Sequence, residues 1–196
     1  IHGYVIRALM LRGLGRPQDA IRDAGRALDL DPENHFALRQ RAGLHVAQGM
    51  FREALSDLDR AITGNPDDFV LHFNRGLSHV NVGEFAKGIE DYSTALAMTE
   101  MHGEFVHREN IFYRRALAHH LAGDHASAVA DFTEAIGILP SNPTFQAGRA
   151  VAHFERGQYE ASWGDILECE RLGGRVDPGF RAEVEKMVKG GVRPQK

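Results

Sequence analysis

Histidines and carboxylates are concentrated in residues 113–140, and side chains of these types could bind a metal ion or transfer protons. His119, His120 and His125 fall in this segment, and Asp131 follows them closely. Imidazole and carboxylate groups are common ligands of zinc, which holds a nitrogen at about 2.0 Å. The same groups act as general acids and bases in catalysis. The segment is a candidate site only if it is not one copy of a pattern that the whole chain repeats.

The chain does repeat a pattern, and an arginine followed by alanine or glycine sets its register. This dipeptide occurs five times, at separations of 34, 34, 40 and 34 residues, with a glycine eight and an aspartate sixteen positions after each arginine. The five combinations are Arg7 with Asp23, Arg41 with Asp57, Arg75 with Asp91, Arg115 with Asp131, and Arg149 with Asp165. We expect each to form a charge-assisted structural pair at a seam between helices, within one repeat or between neighbouring repeats.

Four histidines also share one position of the repeat, the eleventh: His45, His79, His119 and His153. Equivalent residues on stacked helices are separated by about 8 to 10 Å or more, which is too far for four imidazoles to share one zinc ion. We therefore expect each imidazole to pack inside its own repeat with a hydrogen bond. The histidines of the opening segment then belong mostly to the scaffold, and the sequence predicts neither a metal nor a cofactor.

Each copy of the pattern reads as two amphipathic helices on either side of its glycine. Glycine can adopt the left-handed backbone conformation that closes a helix, so we expect Gly83 and its equivalents to lie in the turns. Pro32, Pro66 and Pro140 end the second helix in three of the five copies. The unit is predicted to be an antiparallel helical hairpin.

These features resemble the tetratricopeptide repeat family, whose 34-residue unit has small residues at positions 8, 20 and 27 and proline at position 32. The resemblance implies an all-α, right-handed superhelical solenoid of five hairpins and a capping helix. We place the repeats at about 1–34, 35–68, 69–102, 109–142 and 143–174, the capping helix at about 177–189 after Asp177, the whole domain at 1–190 and a flexible tail at 190–196. No copy carries the family's favoured tryptophan at position 4, and six extra residues, 103–108, precede the fourth copy.

The resemblance also implies that the first helix of each repeat faces a concave groove. The candidate peptide-binding residues there are Arg39, Phe73, Asn74, Leu77, Asn110, Tyr113, Arg114 and Leu117. Apolar positions with isolated polar anchors suit an extended peptide or an amphipathic helix. One subclass of the family binds a C-terminal carboxylate. Asn74 and Arg114 match its pattern and Arg39 conserves the charge, whereas Gly43 and Asn110 depart from it.

The remaining observations limit the other classes of function. No nucleophile elbow, phosphate-binding loop, zinc-protease motif or dinucleotide fingerprint is present, and Cys169 occupies a small packing position, so we expect no enzyme. A net charge of -4 disfavours a nucleic-acid partner, and the apolar runs are too short to insert in a membrane. The sequence opens at Ile1 without an initiator methionine, as a fragment or processed chain would, and we expect a cytoplasmic location.

The sequence therefore predicts a non-catalytic scaffold or adaptor that holds a partner protein or peptide in its groove. Homo-oligomerisation is the alternative, because Tyr4, Ile6 and Met10 of the first hairpin could stack on a second chain.

Overall fold

The computed structural model describes residues 1–101 and 107–190, and these residues form eleven helices and no strand. The first six helices are α1 (His2–Gly13), α2 (Pro17–Leu30), α3 (His35–Ala47), α4 (Phe51–Gly64), α5 (Phe69–Asn81) and α6 (Phe85–Met101). The others are α7 (Arg108–Leu121), α8 (His125–Ile138), α9 (Pro143–Glu155), α10 (Tyr159–Arg171) and α11 (Pro178–Lys189). The predicted all-α class is confirmed.

The helices belong to two compact units, α1 to α6 in the first and α7 to α11 in the second. Within each unit, successive helices pack as antiparallel hairpins, and each hairpin packs on the next. In the first unit the first helices of the hairpins also contact one another, α1 with α3 and α3 with α5. One face of this unit is therefore built from α1, α3 and α5.

Local sequence signals explain where the helices begin and end. The side chains of Asn34, Asp68, Asp124 and Asn142 accept hydrogen bonds from backbone N–H groups of the first turns of α3, α5, α8 and α9. Gly83, between α5 and α6, has a φ of +86°, which confirms the predicted left-handed conformation in the turn. The turns between the helices of the other hairpins use a glycine in the same way.

Small residues let the two helices of a hairpin approach closely. The tightest approach is between α5 and α6, where a Cβ on Gly88 would lie 2.5 Å from Val80 and one on Gly76 would lie 3.1 Å from the Tyr92 ring. The other hairpins carry fully buried alanines at most of the equivalent positions. Buried methyl groups at the seam are what fix the spacing of each pair of helices.

Successive hairpins are joined by donors that reach the turn proline of the preceding hairpin. The Nε2 atom of His72 lies 2.9 Å from the carbonyl oxygen of Pro66, and Gln146 donates to the carbonyl of Pro140 at 3.0 Å. Both donors stand at position 4 of the repeat, where the expected tryptophan is missing. The polar replacements are therefore structural, because they satisfy a carbonyl that helix termination leaves unpaired.

The ends of the two units differ in how closely they follow the sequence expectations. Helix α6 continues through Glu100, where the proline of the pattern is lost, and it is longer than its counterparts at 17 residues. Asp177 caps α11 by accepting from the backbone N–H of Phe180, and Val184 is fully buried against α9 and α10.

The segments 102–106 and 191–196, which include most of the predicted insertion and tail, lie outside the described residues. The predicted repeat limits and single domain stay predictions.

Candidate functional site

Five ion pairs with buried aspartates connect the two helices of the hairpins, and we call them the Arg–Asp ladder. Arg41 donates through Nε and Nη2 to the two carboxylate oxygens of Asp57 at 2.8 and 2.7 Å. The same two-pronged geometry joins Arg7 to Asp23, Arg75 to Asp91, Arg115 to Asp131 and Arg149 to Asp165. The aspartate side chains are at most 9% exposed. Each aspartate therefore lies in the same hairpin as its arginine.

Two arginines of the ladder also reach the preceding hairpin. Arg75 donates to Asp59 on α4 at 3.0 Å, and Arg149 donates to the hydroxyl of Thr133 on α8 at 3.0 Å. Bidentate pairs fix orientation as well as distance. The ladder has the geometry of a structural brace.

The repeated histidines extend the ladder toward the turns. His79 contacts Glu84 at 2.7 Å through Nδ1, and its Nε2 lies 3.9 Å from Asp91. His153 likewise contacts Gln158 at 2.7 Å. The predicted hydrogen bond is wrong for His45. Its Nδ1 is buried and makes no hydrogen bond in the described part of the chain, and it lies 3.6 Å from Asp57 Oδ2. Met50 stands where the other copies carry a polar side chain. Burial lowers the pKa of His45.

The histidines of the opening segment do not converge. His119 faces Asp124 and Asp131, whereas His120 lies against His125 with their Nδ1 atoms 3.2 Å apart. Burial lowers the pKa of His120, and the neighbouring His125 acts in the same direction. Across residues 1–101 and 107–190 no three histidine, cysteine, aspartate or glutamate side chains come close enough together to hold a metal ion. The histidines and carboxylates of residues 113–140 are therefore arranged as parts of the repeat scaffold.

Cys169 lies in the packed interior of the second unit and not in a reactive environment. Its side chain is 1% exposed, and burial raises the pKa of its thiol, with Glu170 acting in the same direction. A thiol held in its protonated form is a poor nucleophile. The packing role expected for this residue agrees with its surroundings.

The predicted peptide-binding residues of the first unit are only partly available to a ligand. Arg39 is exposed but its Nε lies 3.2 Å from the carboxylate of Asp68, the N-cap of α5. Phe73 is half-buried, with its ring 5.7 Å from that of Tyr92. Asn74 and Leu77 are half-buried on the same helix. A competing ion pair on Arg39 weighs against its use as an anchor for a terminal carboxylate.

The predicted residues of the second unit divide in a similar way. Tyr113 packs into the core, with ring distances of 5.3 Å to Phe145 and 6.0 Å to Phe132, and Leu117 packs on the same cluster. Asn110 and Arg114 are exposed. Tyr113 and Leu117 thus contribute mainly to stability, whereas the two polar side chains are accessible from solvent.

The most accessible apolar surface lies at the first two hairpins. Ile6 on α1 is 57% exposed and Phe36 on α3 is 59% exposed. Both border a cavity of about 240 Å³, which we call the apolar cavity. Its lining is Ile1, His2, Val5, Ile6, Asn34 and Phe36. The resemblance to the tetratricopeptide repeat family had placed the candidate peptide-binding residues in the second, third and fourth repeats. The signal that could have revealed this region is a pair of large apolar residues at groove positions of the first two copies.

The profile of the tetratricopeptide repeat matches this chain at residues 7–69, 39–100 and 73–143. The chain therefore belongs to the tetratricopeptide repeat family, a class of helical repeat proteins that present extended binding surfaces. No curated protein matches it.

Several solved structures share the fold at low sequence identity. The crystal structure of the MamA protein superposes with a TM-score of 0.79 at 16% identity, over 98% of this chain and 96% of that one. YrrB, described as a tetratricopeptide protein with an unusual peptide-binding site, gives 0.79 at 15% identity over 93% and 90%. PilW, described as a type IV pilus biogenesis factor, gives 0.77 at 15% identity over 96% and 86%. The predicted solenoid fold and family are confirmed.

None of the described helices is both long and apolar enough to cross a membrane.

Proposed function

We propose that this protein is a non-catalytic interaction scaffold that binds an extended peptide segment of a partner along the face built from α1, α3 and α5. The observation that carries the proposal is the apolar cavity between α1 and α3, bordered by two large apolar side chains that are more than half exposed. Burial of one partner side chain in this cavity would supply affinity, since transfer of a large apolar side chain from water gives about 1.5 to 3 kcal/mol.

Polar side chains further along α1 and α3 can orient the peptide backbone. Arg12 on α1 and Gln40, one helical turn after Phe36 on α3, are joined by a hydrogen bond of 3.3 Å between Nη1 and Oε1, and the Gln40 amide nitrogen makes no hydrogen bond to the described residues. A peptide's own amide groups need such partners where they leave water, so a small number of polar side chains around an apolar anchor matches peptide recognition. YrrB, which shares the fold, is described as having a peptide-binding site, and this supports the choice of ligand class.

Peptide selection followed by mutation tests the proposal. Peptides are selected by display on the immobilised chain, and the affinity of the best peptide is measured by fluorescence polarisation. Phe36→Ala and Ile6→Glu are expected to weaken binding about tenfold or more, because each removes apolar area at the cavity. The control is Leu30→Ala, since Leu30 is 60% exposed at the end of α2 and does not line the cavity.

The result that contradicts the proposal is a selected peptide whose affinity responds equally to Phe36→Ala and Leu30→Ala, or to neither. Circular dichroism melts of each variant separate lost binding from lost folding. An amidated form of the same peptide tests the carboxylate-binding alternative, which predicts that amidation and Arg114→Ala each abolish binding.

Self-association is the second candidate, and one observation favours it. Ile6 and Met10 on α1 and Leu14 directly after its end are 57, 63 and 71% exposed. Tyr4, which we had grouped with them, is instead half-buried and packs against the core of the first two hairpins. Light scattering during size-exclusion chromatography decides the matter. A dimer that Met10→Glu dissociates supports self-association, and a monomer across the accessible concentration range rejects it.

A further inference from the structure

A second cleft in the first hairpin is lined almost entirely by charged side chains. It has a volume of about 340 Å³, lies between α1 and α2, and is separate from the apolar cavity. Apart from Leu11, its lining consists of Arg7, Arg16, Arg22, Arg26, Asp19 and Asp23. Four arginines against two aspartates give this cleft a net charge of +2 in a chain whose net charge is -4. We call it the basic cleft.

The two aspartates hold the four guanidinium groups in place. Asp23, whose side chain is 5% exposed, accepts two hydrogen bonds from Arg7 and a longer one from Arg26 at 3.5 Å. Asp19 accepts from Nε of Arg16 at 2.7 Å and from Nη2 of Arg22. The hydrogen bonds from Arg7 lower the pKa of Asp23, and the charges of Arg26 and Arg22 also lower it. Asp23 is therefore ionised at neutral pH, and the hydrogen bonds to Asp19 and Asp23 hold the four arginines around the cleft.

The arginines retain unused donors. A guanidinium group has five N–H donors, and in the described part of the chain Nη1 of Arg7, Nη1 of Arg22 and Nη2 of Arg26 make no hydrogen bond. Arginine binds anionic oxygens through paired, planar donors, and such charge-assisted bonds are about twice as strong as neutral ones. An anion with several oxygens and a charge of -2 would both use these donors and neutralise the cleft.

The third hairpin provides an internal comparison, because it has a cleft at the same place. That cleft, of about 280 Å³, is lined by Asp59, Arg75, His79, Lys87, Glu90 and Asp91, so its net charge is -1 when the histidine is neutral. Position 22 of the repeat, held by Arg22 in the first copy, is Ser56, Glu90, Ala130 and Gly164 in the others. The hairpin fold thus does not require an arginine at position 22, and stability alone does not account for Arg22.

We propose that the basic cleft binds a phosphate monoester or inorganic phosphate in its dianionic form, with Arg7, Arg16, Arg22 and Arg26 supplying the donors. The source is either a phosphorylated side chain of a partner or free phosphate, which present the same three oxygens. The basic cleft shares no lining residue with the apolar cavity, so the two sites can be tested separately.

Nuclear magnetic resonance titration of the ¹⁵N-labelled full chain tests the site. The probes are inorganic phosphate and a short peptide with one phosphoserine, at constant ionic strength and about pH 7.5, above the second phosphate pKa near 6 of a phosphoserine. We expect saturable shifts of amide signals in α1 and α2 and not in α5 and α6. Arg22→Ser, which installs the residue of the second copy, is expected to weaken binding about tenfold. The matched control is Arg52→Ser, which removes the same charge from an exposed position on α4 outside the cleft, and it is expected to change affinity less than about twofold.

The arms of the experiment also identify the source of the phosphate. Tighter binding of the phosphoserine peptide than of inorganic phosphate identifies a partner's phosphorylated segment, and equal affinities identify free phosphate. A peptide with glutamate in place of phosphoserine must bind much more weakly, because a single carboxylate supplies half the charge. The proposal is overturned if no saturable shift appears in α1 and α2, if Arg52→Ser weakens binding as much as Arg22→Ser, or if the glutamate peptide binds as tightly as the phosphopeptide.

Discussion

Removal of one member of the Arg–Asp ladder is expected to destabilise the first unit through the charge that is left behind. Asp57 is the best position for this test, since its side chain is 3% exposed and it accepts two hydrogen bonds from Arg41. Breaking a fully buried ion pair costs about 3 to 5 kcal/mol. Arg41 keeps 26% of its side chain exposed and can be partly rehydrated, so we expect a loss of about 2 to 3 kcal/mol for Asp57→Ala, below the full buried value.

The loss can be measured as a change in thermal midpoint and in local opening. For a chain of this size, 1 kcal/mol corresponds to roughly 2 to 4 °C, so Asp57→Ala is expected to lower the midpoint by about 4 to 12 °C. Asp57→Asn keeps the shape of the side chain but loses its charge, so its thermal midpoint is expected to lie between those of Asp57→Ala and the parent. The control is Asp67→Ala, because Asp67 is exposed in the turn before α5. Hydrogen exchange should accelerate in α3 and α4.

A double variant separates a stranded charge from lost packing. In Arg41→Met combined with Asp57→Leu neither charge remains, and replacement of a buried pair by apolar residues is often neutral or stabilising. We expect this double variant to recover most of the stability that Asp57→Ala loses. The reasoning is refuted if Asp57→Ala melts with the parent, or if the double variant is as unstable as the single one.

Two further perturbations follow from the same hairpins. Burial holds the pKa of His45 below its unfolded value of about 6.5, so the neutral imidazole favours folding and stability is lost as the pH falls below about 6.5. The denaturant midpoints measured at about pH 7.5 and 5.5 should therefore differ less for His45→Phe than for the parent. An equal difference in the two proteins would contradict this role of His45. Gly88→Ala places a methyl group 2.5 Å from Val80 and should lower the free energy of unfolding by about 1 to 3 kcal/mol. Gly43→Ala, whose new methyl group would have no atom within 4 Å, should raise it by about 0.5 to 1 kcal/mol because alanine favours the helix. Urea titrations in which both variants shift in the same direction would refute this account of the seam.

The repeat register allowed the hairpins to be predicted because the signals that set it are local. The arginine and the aspartate predict the ion pair between the two helices of a hairpin, and the glycine predicts the turn that joins them. The glycine of each turn has the left-handed conformation that its position requires. Spacing predicted a pair at a helix seam, since both residues flank small packing positions, but it left open whether Arg41 meets Asp57 or an aspartate of a neighbouring repeat. The structure places Arg41 and Asp57 in one hairpin. These positions report on the contacts and the turn within each hairpin.

The surfaces were harder to predict, because a repeat position identifies a helix face but not what covers it. Tyr113 stands at a groove position, yet its ring packs 5.3 Å from that of Phe145 of the next hairpin. His72 and Gln146 looked like departures from the family, and their role appears only once the carbonyl of the preceding proline is in place. The basic cleft depends on which side chains surround two aspartates, and no spacing rule of the repeat encodes it.

The central claim is that the first unit binds a partner peptide along α1, α3 and α5, and photo-crosslinking tests it most directly. The selected peptide carries a photoreactive analogue at its apolar anchor, and mass spectrometry locates the crosslinked residues of the full chain. The account predicts crosslinks to α1 and α3 centred on Ile6 and Phe36, and their loss in Phe36→Glu. Crosslinks that concentrate on α2 and α4, or that persist unchanged in Phe36→Glu, would contradict it.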